Sequence, residues 1–276
     1  MSQSLRWLAL LLTPLLGSCM TSTFLPLPHD VKREKDVRYT PERWPKPMLA
    51  DVYYRPSKQA CPAVLLIHGG SWKASDDRWT MTPIAKALVR RGYVVVNAGY
   101  RGTPGDRHPA PLEDLHEAIR WMRANSQRYG IDPEKIATYG FSAGAHLAAQ
   151  LALADGNPSR VRAIVTAAAP FDLYRDPGGD EEALFLGGSR DQIPKVFREA
   201  SPIHHVTRSS PPIFIYQGSK DTVVPPDHAR WMAEEYRKNG FDTQVHWVEG
   251  RGHSGIIVFP GDAVDRAIDF LDHTLK

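Results

Sequence analysis

Gly140-Phe141-Ser142-Ala143-Gly144 is the stretch on which the fold of this chain turns. It follows Lys135-Ile136-Ala137-Thr138-Tyr139, which has the make-up of a strand, and it opens residues 146–153, which have the make-up of a helix. A Gly-x-Ser-x-Gly run between a strand and a helix forms a nucleophile elbow, a turn tight enough to hold its serine at a strained backbone angle. Glycines stand two residues before and two after the serine because side chains there would collide across the turn. The turn lifts the hydroxyl clear of the sheet and sets it at a helix N-terminus, where the first backbone N–H groups have no partner within the helix.

On both sides of the elbow, strands alternate with helices. Ala63-Val64-Leu65-Leu66-Ile67 is a continuous apolar run, the pattern of a central parallel strand covered on both faces. A helix is expected over 82–91, stopped by Gly92, then a buried strand over 93–98. Residues 111–129 carry Leu112, Leu115, Ile119 and Met122 at helical spacing, with Gly130 as the stop. Further strands are expected at 162–168, 213–216 and 243–248, and helices at 227–238 and 262–275. Earlier strands are expected at 36–39 and 49–54. The alternation implies a doubly wound, mostly parallel α/β sheet with right-handed crossovers. With no repeat or composition break, residues 48–276 read as one domain, and 170–212 read as a short insert over the C-terminal sheet edge, too short for a large lid.

A serine hydroxyl is a weak nucleophile at neutral pH; it needs a base to take its proton, and the base needs an orienting carboxylate. Two loops offer these groups. Gln217-Gly218-Ser219-Lys220-Asp221 follows the strand at 213–216, and Glu249-Gly250-Arg251-Gly252-His253-Ser254 follows the strand ending at Val248. Both Asp221 and His253 are thus placed beyond strand C-termini, where open α/β sheets gather ligands. Rivals weigh less. His146 lies one helical turn after Ser142, His204-His205 falls in the insert, His228 opens a helix, Asp227 has the position of a helix cap, and Asp172 comes one strand too early. The run His68-Gly69-Gly70-Ser71-Trp72 leaves the strand 63–67 directly, and its glycines let backbone N–H groups point at a developing oxyanion.

These runs together (His-Gly-Gly-x-Trp, Gly-x-Ser-Ala-Gly, Gly-x-x-Asp-x-x-Val-Pro, Gly-x-Gly-His) resemble the carboxylesterase and acyl-hydrolase branch of the α/β-hydrolase superfamily. The likeness covers roughly residues 48–274 and is close to the hormone-sensitive-lipase-like, feruloyl/acetyl-xylan-esterase-like and kynurenine-formamidase-like groups; Phe185-Leu186-Gly187-Gly188 and Ala200-Ser201-Pro202-Ile203 are familiar from the same enzymes. The resemblance implies an α/β-hydrolase fold, a triad of Ser142, Asp221 and His253, and an oxyanion hole from Gly70, Ser71 and Ala143. Ser71 stands where the family has a third glycine, which leaves open which of Gly69, Gly70 and Ser71 donates. Trp72, Arg101 and His146 are expected to shape the substrate pocket. The implied activity is hydrolysis of small or compact acyl esters, free or carried on glycans. An aryl formamidase or exopeptidase on the same triad is the alternative, and a non-catalytic binding protein on this fold is a third reading.

Composition narrows the partners. At 42% hydrophobic and 24% charged the chain reads as a folded domain, and its net charge of +3 is spread without a basic run, so no nucleic acid is expected. Residues 1–18 read as an export signal, because the apolar run 7–16 is shorter than the roughly 20 residues of a membrane span. Leu16-Gly17-Ser18-Cys19 resembles the lipobox of bacterial lipoproteins, which implies lipidation of Cys19, a membrane anchor at the outer membrane or cell surface, and otherwise a periplasmic or secreted location. Residues 19–47, rich in proline and charge, then read as a tether, and Cys61 is expected to be unpaired and at least half-buried. Gly250-Arg251-Gly252-His253-Ser254-Gly255 matches the dinucleotide fingerprint but lacks room for the second strand and acidic residue that fingerprint needs. No metal or nucleotide motif is present, and neither a cofactor nor an obligate protein partner is expected.

Overall fold

A computed structural model of the chain describes residues 26–57, 59–154, 159–176 and 178–276. Eight strands form one sheet: β1 (Lys32–Arg38), β2 (Leu49–Tyr54), β3 (Cys61–Ile67), β4 (Val94–Ala98), β5 (Ile131–Phe141), β6 (Ala163–Ala167), β7 (Ile213–Gly218) and β8 (Val245–Val248). Their spatial order is β1-β2-β4-β3-β5-β6-β7-β8. β2 runs antiparallel to both of its neighbours, and every pair from β4 to β8 is parallel. The α/β-hydrolase arrangement expected from the motifs is therefore the one observed.

The apolar run of β3 explains why the sheet is covered on both sides. Residues 63–67 are fully buried, and their alternation sends Ala63, Leu65 and Ile67 into one core and Val64 and Leu66 into the other. The first core is closed by α2 (Ala110–Ala124), α4 (Ala143–Leu153) and α7 (Asp227–Lys238). The second is closed by α1 (Thr82–Arg90) and α9 (Ala263–Leu275). All eleven residues of α4 are buried, as an apolar helix needs when a second layer covers it. That layer is α2 on one side and the segment between β6 and β7 on the other, which carries α5 (Asp180–Leu186), α6 (Pro194–Glu199) and a 3-10 turn at Pro202–His205. This segment is the insert expected over 170–212.

Three expectations need correction. The 19–47 tether contains β1, which begins at Lys32 and pairs with β2 from Lys32↔Tyr54 onward. Its alternation was hidden because it is an edge strand whose charged side chains face solvent, and a bulge between Glu34 and Val37 breaks its period. The helix at 111–129 is two pieces, because α2 ends at Ala124, Asn125 folds its side chain back onto Trp121 O (2.9 Å), and α3 (Ser126–Tyr129) follows. The helix after the elbow starts at Ala143, three residues earlier than its apolar pattern suggested. Cys61 is half-buried with a free thiol, and Cys19 lies outside the described residues. Among the described residues no helix is long and apolar enough to cross a membrane.

Candidate active site

Four loops leave the C-terminal ends of β3, β5, β7 and β8 and meet at one edge of the sheet. Ser142 sits between β5 and α4 with φ 54° and ψ −125°, the strained serine expected of an elbow. A Cβ on Gly140 would stand 2.2 Å from Gly144 O, so that glycine is required by the turn itself. Gly144 has a different cause. A Cβ there would stand 2.2 Å from His68 O and 2.4 Å from Ile67 O, so its missing side chain lets α4 rest directly on the end of β3.

His253 is brought to Ser142 by two loops that bind each other. Lys220 N donates to Arg251 O (2.9 Å), and Gly250 N donates to Ser219 Oγ (2.8 Å). His253 Nε2 then lies 2.9 Å from Ser142 Oγ, and Nδ1 lies 2.8 Å from Asp221 Oδ2. The imidazole is 13% exposed, open to a substrate, while the Asp221 carboxylate is fully buried. Both carboxylate oxygens are committed. Oδ1 accepts from Val223 N (2.9 Å) and Val224 N (3.0 Å), and Oδ2 accepts from Gln217 Nε2 (3.0 Å) as well as from His253. Burial opposes the charge but is outweighed by the His253 ring and the Val224 and Val223 N–H groups, which hold the carboxyl below the ordinary value of 3.8. The sign follows from linkage: a depressed carboxyl pKa stabilises the fold above the ordinary carboxylate range, and that contribution is lost as pH falls through the depressed value. At neutral pH Asp221 is an anion, so the ring proton sits on Nδ1 and Nε2 is free to accept from Ser142.

The oxyanion loop lies against this pair. A Cβ on Gly69 would stand 3.2 Å from Ser142 Cβ, so the backbone of the loop passes the serine at contact distance. Gly70, Ser71 and Trp72 all have positive φ, at 115°, 52° and 55°. The loop is pinned from behind by Thr103 N donating to Trp72 O (2.9 Å) and by Tyr100 OH donating to His68 O (3.0 Å). Ala143 is the first residue of α4, where helix geometry leaves the N–H without an acceptor inside the helix. Gly69 thus passes Ser142 at contact distance, Gly70 and Ser71 follow it in the same loop, and Ala143 adjoins Ser142 in the chain.

Trp72, Arg101 and His146, expected to shape the pocket, are each buried and bonded to neighbours in the interior. Trp72 is buried, and its indole N–H donates to His146 Nδ1 (3.1 Å). His146 Nε2 lies 2.7 Å from Ala200 O and donates to it, so both nitrogens of this ring are spent on packing. Burial pushes its pKa down to about 3, only partly opposed by the Ala200 carbonyl, so it stays neutral. Arg101 belongs to a buried ion cluster. Its backbone N–H and Nε hold Asp114 at 2.7 Å and 2.9 Å, Nη2 holds Glu113 at 2.9 Å, and Trp44 Nε1 closes on Asp114 at 2.6 Å. A guanidinium beside a buried carboxylate is held by that partner, since leaving either charge alone in the interior costs about 3–5 kcal/mol. The rival residues are also committed elsewhere. Asp172 Oδ1 caps a turn through Arg175 N (2.9 Å), His228 Nδ1 accepts from Phe171 N (3.2 Å), and Asp227 pairs with Arg230 (2.8 Å) on the surface of α7.

Gln217 and Glu181 were not singled out from the sequence, and Phe185 was noted only as part of a familiar run in the insert. Gln217 carried one signal, a polar side chain at the buried end of an apolar strand four residues before Asp221. Glu181 carried none, and nothing local tied Phe185 to Trp72, because their partners lie about a hundred residues earlier in the chain.

The BD-FAE family matches residues 50–236. Esterase LipC of Mycobacterium tuberculosis is 34% identical over 229 residues, covering 74% of this chain and 56% of LipC. Esterase LipQ of the same organism is 32% identical over 240 residues, covering 79% of this chain and 56% of LipQ. The chain therefore spans little more than half the length of these relatives. A solved structure described as a truncated form of carbohydrate esterase from gut microbiota superposes with a TM-score of 0.81 at 25% identity, covering 90% of this chain and 98% of that one.

Proposed function

Because this chain belongs to the BD-FAE family, we propose that it is a serine carboxylesterase acting on small or compact acyl esters. The observation that carries the reading is the relay of 2.9 Å and 2.8 Å from Ser142 through His253 to Asp221, set beside a backbone loop rich in positive φ. His253 Nε2 takes the Ser142 proton as Oγ forms its bond to the ester carbonyl carbon. The carbonyl oxygen becomes an anion and is met by N–H groups of Gly70, Ser71 and Ala143. The tetrahedral centre collapses, the carbon–alkoxy bond breaks, and the alcohol leaves with the proton from His253. Water repeats the sequence on the acyl-enzyme and releases the acid, with Asp221 stabilising the imidazolium each time.

The named esterase relatives support ester over amide bonds, and the likeness to a carbohydrate esterase supports esters carried on glycans as natural substrates. The short insert, with α5 and α6 of seven and six residues, supports compact acyl groups over long chains. A panel of p-nitrophenyl esters tests this: kcat/KM for acetate and butyrate should exceed that for palmitate by at least about 10-fold, since each misplaced methylene in a shaped pocket is worth on the order of 10-fold. A preference for palmitate removes the compact-acyl reading. Turnover of N-formylkynurenine or aminoacyl amides with none of acetyl esters replaces the esterase by the amide hydrolase.

We also propose that Cys19 carries a lipid anchor that holds the enzyme at a bacterial membrane, on the lipobox-like run before it. One acyl chain binds membranes only marginally, so several are needed for stable attachment. Cells fed an alkyne fatty acid should label the wild-type protein and not Cys19→Ala; equal labelling of the two would remove the anchor from that residue.

A further inference from the structure

Two consecutive residues of the oxyanion loop, Ser71 and Trp72, hold φ of 52° and 55° although neither is glycine. A side chain in that region costs about 1–3 kcal/mol and persists only where surrounding contacts over-determine it. Residues 71–73 are tied from behind to Thr103 and His146, and from the insert by α5. Glu181 Oε1 accepts from Lys73 Nζ at 2.6 Å. One turn further along, the Phe185 ring stacks on the Trp72 indole with centroids 4.6 Å apart and planes 6° from parallel. Phe185 O in turn accepts from His108 N (2.9 Å), which ties the end of α5 to the main domain. The helix thus holds Lys73 by an ion pair and Trp72 by a stacked ring. The Lys73 contact holds the Glu181 carboxyl below its ordinary value, so it is ionised at neutral pH.

We infer that Glu181 is a positioning residue for the oxyanion hole: its carboxylate holds Lys73, and with the Phe185 ring on Trp72 it restrains the positive-φ turn at Ser71 and Trp72 so that the loop keeps its N–H groups aimed at the developing anion. The inference rests on the esterase reading above. Glu181 does not touch the reacting atoms. The Lys73–Glu181 pair is about half exposed, at 55% and 46%, so it adds little to global stability, and its effect falls on the geometry of the loop.

Glu181→Ala should lower kcat about 10-fold with KM within 2-fold, less than the 10²–10³ that follows outright loss of one oxyanion donor. Glu181→Gln, which keeps an acceptor for Lys73 Nζ but not the charge, should recover about half of that loss on a logarithmic scale. In a Ser71→Gly background the backbone takes positive φ without a Cβ penalty, so the further loss on adding Glu181→Ala should shrink to about 2-fold or less. Hydrogen–deuterium exchange of peptides covering 68–76 should rise in Glu181→Ala while the β5 and α4 peptides and Tm stay unchanged. An unchanged kcat, an equal loss in both backgrounds, or unchanged exchange in the loop would each overturn the clamp. Absence of ester turnover by the wild-type protein would sink the esterase reading instead, and the exchange measurement would still decide whether Glu181 holds the loop.

Discussion

Ser142→Ala is expected to lose at least ~10³-fold in ester turnover while unfolding at the wild-type midpoint. The substitution removes one oxygen, and φ of 54° is as costly for alanine as for serine, so the elbow strain is unaltered. The flanking glycines that pack against Gly144 O and the end of β3 are untouched. What disappears is the oxygen that lies 2.9 Å from His253 Nε2 and would attack a carbonyl. The residual rate then comes from the backbone N–H groups and a water activated by His253, the background left when a triad loses its nucleophile. Labelling by a fluorophosphonate should vanish with it. Turnover within 10-fold of wild type, or persistent labelling, would refute Ser142 as the nucleophile.

Asp221→Asn is expected to cost about 10³–10⁴ in kcat at neutral pH with the fold intact, for a reason visible in the hydrogen bonds. Oδ1 accepts from the Val223 and Val224 N–H groups, so the amide oxygen of an asparagine must occupy that side. Its NH2 group then faces His253 Nδ1 and the Gln217 amide, which itself donates at 3.0 Å in the native protein. Two donors oppose each other, and the histidine can meet the new NH2 only by accepting on Nδ1. That moves its proton to Nε2 and leaves Ser142 without a base. Proton NMR of the imidazole should report the tautomer change directly. A variant with kcat within 10-fold of wild type and the native tautomer would remove Asp221 from the proposed role.

The neighbours of each residue along the chain carried much of this architecture. The period-2 and continuous apolar runs marked β2 through β8, helical spacing marked α1, α2, α7 and α9, and Gly-x-Ser-x-Gly marked the elbow, because each of these depends on backbone geometry within a few residues. Placing Ser142, Asp221 and His253 just past strand ends was enough to put them at one edge of a parallel sheet. β1 was read only in part, since a solvated edge strand lacks the buried alternation that betrays inner ones.

Only the tertiary structure decided what those residues touch. His253 reaches Ser142 across 111 positions of chain because the β7 and β8 loops are bonded to each other. Arg101 is paired with a buried Asp114, and both ring nitrogens of His146 are engaged, by Trp72 and Ala200. Glu181 came to lie on Lys73 from 108 positions away. Contacts of that range depend on crossovers, layer packing and the partners left over once each buried polar group has been satisfied. Those conditions are met by the whole fold at once, so no local spacing in the sequence records them.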